Sequence, residues 1–166
     1  VLIFVGEAAT SEDLDEIRTE LAENGYMKKR HLNGRSKKQK LRPYEYTLST
    51  GLIVMAGRNN FENDQLTFKK ASAGDIWLHT KDIPGSHVVV FTGGRTLDAE
   101  EIYEAASIAA FHSKAKQSEN VPVDYVNARY VKKPNGSRPG YVIFTHNRTV
   151  YVNPGLPSDN AVHSHD

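Results

Sequence analysis

The chain has 166 residues and no cysteine, with 39% hydrophobic and 25% charged residues. That length supports one core of ordinary composition rather than two, and the missing cysteines exclude a disulfide scaffold, a thiolate zinc site and a cysteine nucleophile. The net charge of +1 hides a partition of −6 over residues 1–27, +8 over residues 28–42 and −1 over residues 43–166, so the informative charge is the middle block.

No apolar run reaches the roughly 18 residues of a membrane span, so membrane insertion is not expected. The opening VLIFV lacks a basic flank and does not read as a signal peptide; a start on Val1 reads as a fragment boundary. Thr10 or Ser11 opens a helix, with Asp13 in capping-box spacing and Leu14, Ile17 and Leu21 on one narrow apolar stripe. Gly25 is a plausible stop. The stripe suits the end of a coiled coil or a helix that packs on a partner better than a core helix. The next segment, KKRHLNGRSKKQKLR over residues 28–42, has no apolar periodicity and reads as a basic linker.

The globular part is expected from Pro43. Tyr44, Tyr46 and Leu48 alternate as a strand, Ser49-Thr50-Gly51 is a turn, and Leu52 to Met55 form a second strand. Gly57-Arg58-Asn59-Asn60 breaks the run. Asn63 or Asp64 is expected to cap a short helix through Phe68 to Ala71. Asp75-Ile76-Trp77-Leu78-His79 alternates strictly, which puts Asp75, Trp77 and His79 on one face and Ile76 and Leu78 towards the core. Pro84-Gly85 turns the chain into a strand from His87 to Phe91. Asp98 with Glu101 caps a long helix whose wide alanine-rich surface must lie buried on a sheet. A long strand from Val123 to Val131 follows, then a hairpin of Tyr141 to Phe144 with Thr149 to Val152 around His146-Asn147. The last dozen residues read as a flexible tail. The expected fold is therefore mixed α/β (α+β): a mostly antiparallel sheet of about seven strands covered by one long helix, with an N-terminal helix before it. The expected divisions are residues 1–42, 43–153 and 154–166.

Three features carry chemistry. In the Asp75-x-Trp77-x-His79 face, followed by His87, the one tryptophan could stack a base and the histidines donate to phosphates. The plain alternative is that Trp77 covers the core edge and backbone carbonyls satisfy the histidines. Asp75, His79 and His87 match no strong zinc spacing, and Ser86, His87 and Asp82 form no nucleophile elbow. Gly57-Arg58-Asn59-Asn60 offers Arg58 to phosphate, or is turn architecture alone. The basic block offers eight charges in fifteen residues to a phosphate backbone, and Lys132, Lys133 and Arg138 extend that positive surface. Cations beside aromatics favour single-stranded or looped RNA over a duplex reader.

The string VMAGRNNFENDQLTFKKASAGDIWLHTKDIPGSHVVV resembles the RNA-binding domain, NFACT-R, of the NFACT family. The resemblance covers about residues 43–153. It rests on Gly57-Arg58-Asn59-Asn60 with Asn63-Asp64, on Gly74-Asp75-Ile76-Trp77-Leu78-His79, on Lys81-Asp82-Ile83-Pro84-Gly85-Ser86-His87, and on Asp124-Tyr125 and Pro139-Gly140. It implies a cytoplasmic piece of a ribosome quality-control factor, with the large ribosomal subunit and transfer RNA as partners. Such a factor supports template-free addition of C-terminal alanine to stalled chains. Peptide transfer there is ribosomal chemistry, so no enzyme activity, catalytic residue, metal or cofactor is expected of this domain. The residues matching the family's motifs are Arg58, Asn59, Asn60, Asp75, Trp77, His79 and His87, and the charge of the basic block separately adds Lys37, Lys38 and Lys40 as candidate RNA contacts. On this reading Arg58 and the lysines meet phosphates, Trp77 and the histidines form a recognition face, and Asp75 orients a histidine or the turn. The alternative function is an anchorless bacterial surface adhesin that binds fibronectin, through an exposed strand edge.

Overall fold

A computed structural model of the chain describes the backbone of Ile3–Val5 and residues 40–157. The expected N-terminal helix, Lys37, Lys38 and most of the tail lie outside the described residues.

Strands β1 (Ile3–Val5), β2 (Tyr44–Thr47), β3 (Ile53–Ala56), β4 (Ile76–Thr80), β5 (Val88–Phe91), β6 (Val121–Asn127), β7 (Val131–Lys132), β8 (Val142–Phe144) and β9 (Arg148–Val152) form two sheets. The larger has the order β2-β3-β5-β4-β6-β9 and the smaller β1-β8-β7. Every pairing is antiparallel. Helix α1 (Asn60–Gln65) runs into a π-helical turn at Leu66–Lys70, and α2 (Ala99–Phe111) is the long helix.

The alternation along the central strands explains the layers. Leu78, Val88, Val90, Val54 and Ala56 project to one face of the large sheet, where α2 closes over them. Ala105, Ala106, Ala109 and Ala110 are fully or almost fully buried there, because methyl side chains let the helix backbone approach closely. Trp77, Val89 and Val126 project to the opposite face. That face is covered as well: Leu66 of the π turn and Val131, Val142 and Phe144 of the small sheet pack on it. A sheet covered on one side was expected; this one is buried on both, which is why its central strands are runs of valine rather than alternating polar and apolar residues.

Three local expectations are corrected. The short helix is capped by Asn59, whose Oδ1 accepts from Glu62 N at 2.9 Å; Asn63 lies inside it. The strand expected from Val123 to Val131 stops at Asn127. A 3₁₀ turn at Ala128–Tyr130, tied by Ala128 N to Asp75 O at 2.8 Å, moves the chain from the large sheet to the small one. The expected terminal hairpin does not form. β8 pairs with β7 and β1, whereas β9 pairs with β6. Between them His146 takes φ 65°, and the chain crosses between sheets.

Helix α2 starts as expected. Asp98 accepts from Glu101 N at 2.8 Å and Glu101 accepts from Asp98 N at 3.0 Å, which completes a capping box. Thr50 and Ser49 in the β2–β3 turn donate to Glu101 and Glu104, so the helix start is also stitched to the sheet. Replacing Asp98 with Ala is expected to lower stability by about 1 kcal/mol. A urea titration should show a lower midpoint with an unchanged slope.

Candidate nucleic-acid interface

The motif residues come together, but inside the protein. Trp77, His79 and His87 are 0%, 2% and 1% exposed. They form a ring cluster: Trp77 lies parallel to His79 at 6.0 Å and edge-on to His87 at 5.2 Å. The expected face is thus turned inwards and not towards solvent in this structure. The same alternation that removes Ile76 and Leu78 from water turns Trp77 and His79 into the second core, because that face too is covered.

A directional chain of hydrogen bonds runs through this cluster. Trp77 Nε1–H donates to Thr67 Oγ1 at 3.1 Å. The Thr67 hydroxyl lies 2.8 Å from His87 Nδ1, and His87 Nε2 lies 3.1 Å from Gly140 O. The chain is complete when Thr67 donates to Nδ1 and Nε2–H donates to the carbonyl, the neutral Nε2–H tautomer. Protonating Nδ1 would leave Thr67 with no acceptor there. Burial, then the neighbouring His79, push the His87 pKa down to about 3. His79 sits between Thr80 O at 2.6 Å and Gly85 O at 3.1 Å. Those carbonyls favour its charged form, but burial outweighs them and its pKa falls to about 4.

Helix α1 is locked to this cluster. Asn63 Oδ1 accepts from His87 N at 3.1 Å, and Asn63 Nδ2 donates to Asn60 Oδ1 at 3.1 Å. Gly140 is clasped from both sides, its N–H by Asp64 at 3.1 Å and its carbonyl by His87. A Cβ at Gly140, where φ is 83°, would fall 2.3 Å from Asn60 Oδ1, so only glycine fits without rearrangement.

Arg58 and Glu62 form a second anchor. Glu62 is 1% exposed and accepts from Arg58 N, from Arg58 Nε at 3.0 Å and Nη2 at 2.8 Å, and from Arg42 N at 2.7 Å. Burial alone would raise its pKa, but the Arg58 guanidinium and the two backbone N–H groups outweigh it and hold the pKa low. Arg58 thus commits two guanidinium nitrogens to a buried carboxylate, and a phosphate would compete with that pair. Asn59 and Asn60 are buried as helix cap and helix-turn partner. Asp75 orients turns rather than a histidine: it accepts from Ser72 N at 2.7 Å and Thr92 N at 3.0 Å. Among the described residues every buried side-chain nitrogen or oxygen has a polar neighbour at hydrogen-bonding distance, and no cluster of histidine and carboxylates could hold a metal.

Sequence reading missed Glu62, Thr67 and the tie from Gly140 to α1. The i,i+4 spacing of Arg58 and Glu62 was the one available signal; the other contacts join residues far apart in the chain.

The exposed surface beside this cluster is basic. An open groove of about 570 Å³ lies between the π turn and β7, lined by Asp64, Gln65, Phe68, Lys69, Val131, Lys132 and Lys133. Asp64, the one carboxylate lining it among the described residues, is paired with Lys133 at 3.2 Å. Lys69 and Lys132 are exposed on its walls, with Lys70 adjacent. Lys40, at the end of the basic block, is exposed.

Because the unfolded chain protonates His79 and His87 near pH 6.5 and the folded chain does so only near pH 4 and 3, stability should be full above about pH 6.5 and fall as pH drops towards 4. The expected slope is up to about 1.4 kcal/mol per pH unit for each ring. Urea unfolding at several pH values should show it. His87→Gln or His79→Gln should flatten the curve relative to the parent; equal slopes would contradict the neutral-ring assignment.

Comparison with known proteins agrees with this architecture. The family model described as the NFACT protein RNA binding domain matches residues 42–145. The Rqc2 homolog RqcH of Bacillus subtilis (strain 168) is 46% identical over 149 residues, 89% of this chain and 26% of that protein. The Rqc2 homolog RqcH of Streptococcus suis (strain 05ZYH33) is 44% identical over 152 residues, 91% of this chain and 27% of that protein. This chain thus spans about a quarter of the length of these relatives. A solved structure, the C-terminal part of the fibronectin/fibrinogen-binding protein from Streptococcus suis, superposes with a TM-score of 0.73 at 40% identity, covering 93% of this chain and 61% of that one. With the family's motifs forming the buried cluster and its domain model covering β2 to β8, the chain belongs to the NFACT family and carries its RNA-binding domain.

Proposed function

We propose that this chain is the RNA-binding module of a ribosome quality-control factor. It would associate with the large ribosomal subunit and transfer RNA and support template-free alanine tailing of stalled nascent chains, without itself being an enzyme. The relatives named Rqc2 homolog RqcH support this reading. The observation that carries it is the groove in which, among the described residues, the only lining carboxylate is paired with Lys133 while Lys69 and Lys132 stand exposed. Such a groove attracts phosphate without regard to sequence. The rigid cluster beneath it holds the lysine-bearing turn and strand in place. The setting of such an activity is the cytoplasm, and no helix among the described residues is long and apolar enough to cross a membrane.

One observation favours a second reading. The Streptococcus suis relative is named for fibronectin and fibrinogen binding, and among the described residues β9 ends the large sheet with one side unpaired and Tyr151 58% exposed. Such an edge could add a strand from fibronectin at the cell surface.

Both readings are tested by titrating labelled transfer RNA and fibronectin against the chain over a salt series. RNA binding is expected to weaken linearly on a log–log plot, with a slope of about 0.7–0.9 per phosphate neutralised. Replacing Lys69 and Lys132 with Gln, or Lys37, Lys38 and Lys40 with Gln, should each reduce the slope by roughly one contact per lysine removed. Salt-insensitive fibronectin binding without RNA binding would overturn the RNA reading in favour of the adhesin.

A further inference from the structure

A second exposed feature lies away from the lysine groove. Tyr44 begins the edge strand β2, 44% exposed, with its ring stacked on His112 at 4.5 Å and an interplanar angle of 14°. His112 is fixed from behind. Its Nε2 lies 2.7 Å from the Tyr46 hydroxyl, and its ring meets Phe111 edge-on at 5.2 Å. Burial holds the imidazole neutral, with a pKa near 4, and holds the Tyr46 phenol protonated, with a pKa near 12. The stack therefore stays fixed and uncharged at neutral pH.

Basic residues lie close to it in the chain. Lys116 places Nζ 4.1 Å from the Phe111 ring, and Lys114 is exposed two residues past His112. These two offset the negative end of the α2 dipole, and Arg42 stands exposed two residues before Tyr44 in the chain. Arg42 precedes Pro43, which keeps its backbone extended. Its N–H is held by Glu62, so the basic block reaches the domain directly beside Tyr44.

A flat, half-exposed stacked ring with Lys116 beside it and Arg42 and Lys114 near it in the chain has the chemistry of a single-stranded RNA contact: the ring takes a base face and the cations take its phosphates. We propose that Tyr44, stacked on His112 and flanked by Arg42, Lys114 and Lys116, is a base-stacking platform for an unpaired RNA nucleotide. The inference rests on the RNA-binding reading and adds a second contact surface to it. It places one end of the bound strand where the basic block joins the domain.

The test compares binding of fluorescein-labelled U12 RNA and of the same oligomer with abasic positions throughout, at one salt concentration. The proteins are the 166-residue chain and its Tyr44→Leu and Tyr44→Phe variants, each first shown to melt like the parent. Stacking on one base predicts that Tyr44→Leu weakens U12 binding about five- to tenfold, that Tyr44→Phe binds as the parent, and that the abasic oligomer does not distinguish the three. Equal U12 binding by all three would overturn the platform and leave the RNA reading standing. An equal loss on the abasic oligomer would also overturn it, because the lost contact would not be with a base. Failure of the parent to bind either oligomer or transfer RNA would overturn both.

Discussion

Much of the domain depends on one hydrogen-bond chain, from Trp77 through Thr67 and His87 to the carbonyl of Gly140. It joins β4, the π turn, the residue that leads into β5 and the 133–141 loop, four parts of the chain. It works only with a neutral imidazole, and burial in an apolar pocket is what keeps that imidazole neutral. The close approach of Asn60 demands glycine at position 140, and Asn63 ties Asn60 to the His87 backbone.

Function then follows from what the cluster displays rather than from what it contains. The π turn carries Thr67 inwards and Lys69 and Lys70 outwards, so one deviation from regular helix both completes the buried chain and sets the lysines at the groove. Glu62 acts similarly at the other end of α1. By accepting from Arg58 and from Arg42 N it binds the end of the basic segment to the rigid part of the domain. Long basic side chains bind phosphate best when little order must be imposed on binding, and these two anchors supply that order in advance.

Much of this was legible in the sequence. The Asp98–Glu101 box, the alanine-rich helix, the turn at Ser49-Thr50-Gly51 and the alternation through Trp77 are local patterns, and local physics decides them. The side of the sheet was not legible. Period-two alternation says that Trp77 and His79 share a face, but whether that face meets water depends on Val142 and Phe144, which return from some 65 residues away. The false hairpin has the same origin: Tyr141 to Phe144 and Thr149 to Val152 are both good strands, and only burial against Trp77 or against α2 assigns them to different sheets. Glu62 and Thr67 escaped notice because a glutamate and a threonine on a short helix look like solvated surface until their partners are in place.

The central claim is that the family's tryptophan and histidines are scaffold, and that RNA meets the exposed cations and Tyr44. Hydroxyl-radical footprinting with mass spectrometry, with and without transfer RNA, tests it most directly. The account predicts protection at Lys69, Lys132, Tyr44 and Lys116, with Trp77, His79 and His87 unreactive and unchanged in both states. A change in Trp77 or His87 reactivity on adding RNA, with the lysines and Tyr44 unaffected, would contradict it, because the buried cluster would then open as the recognition face.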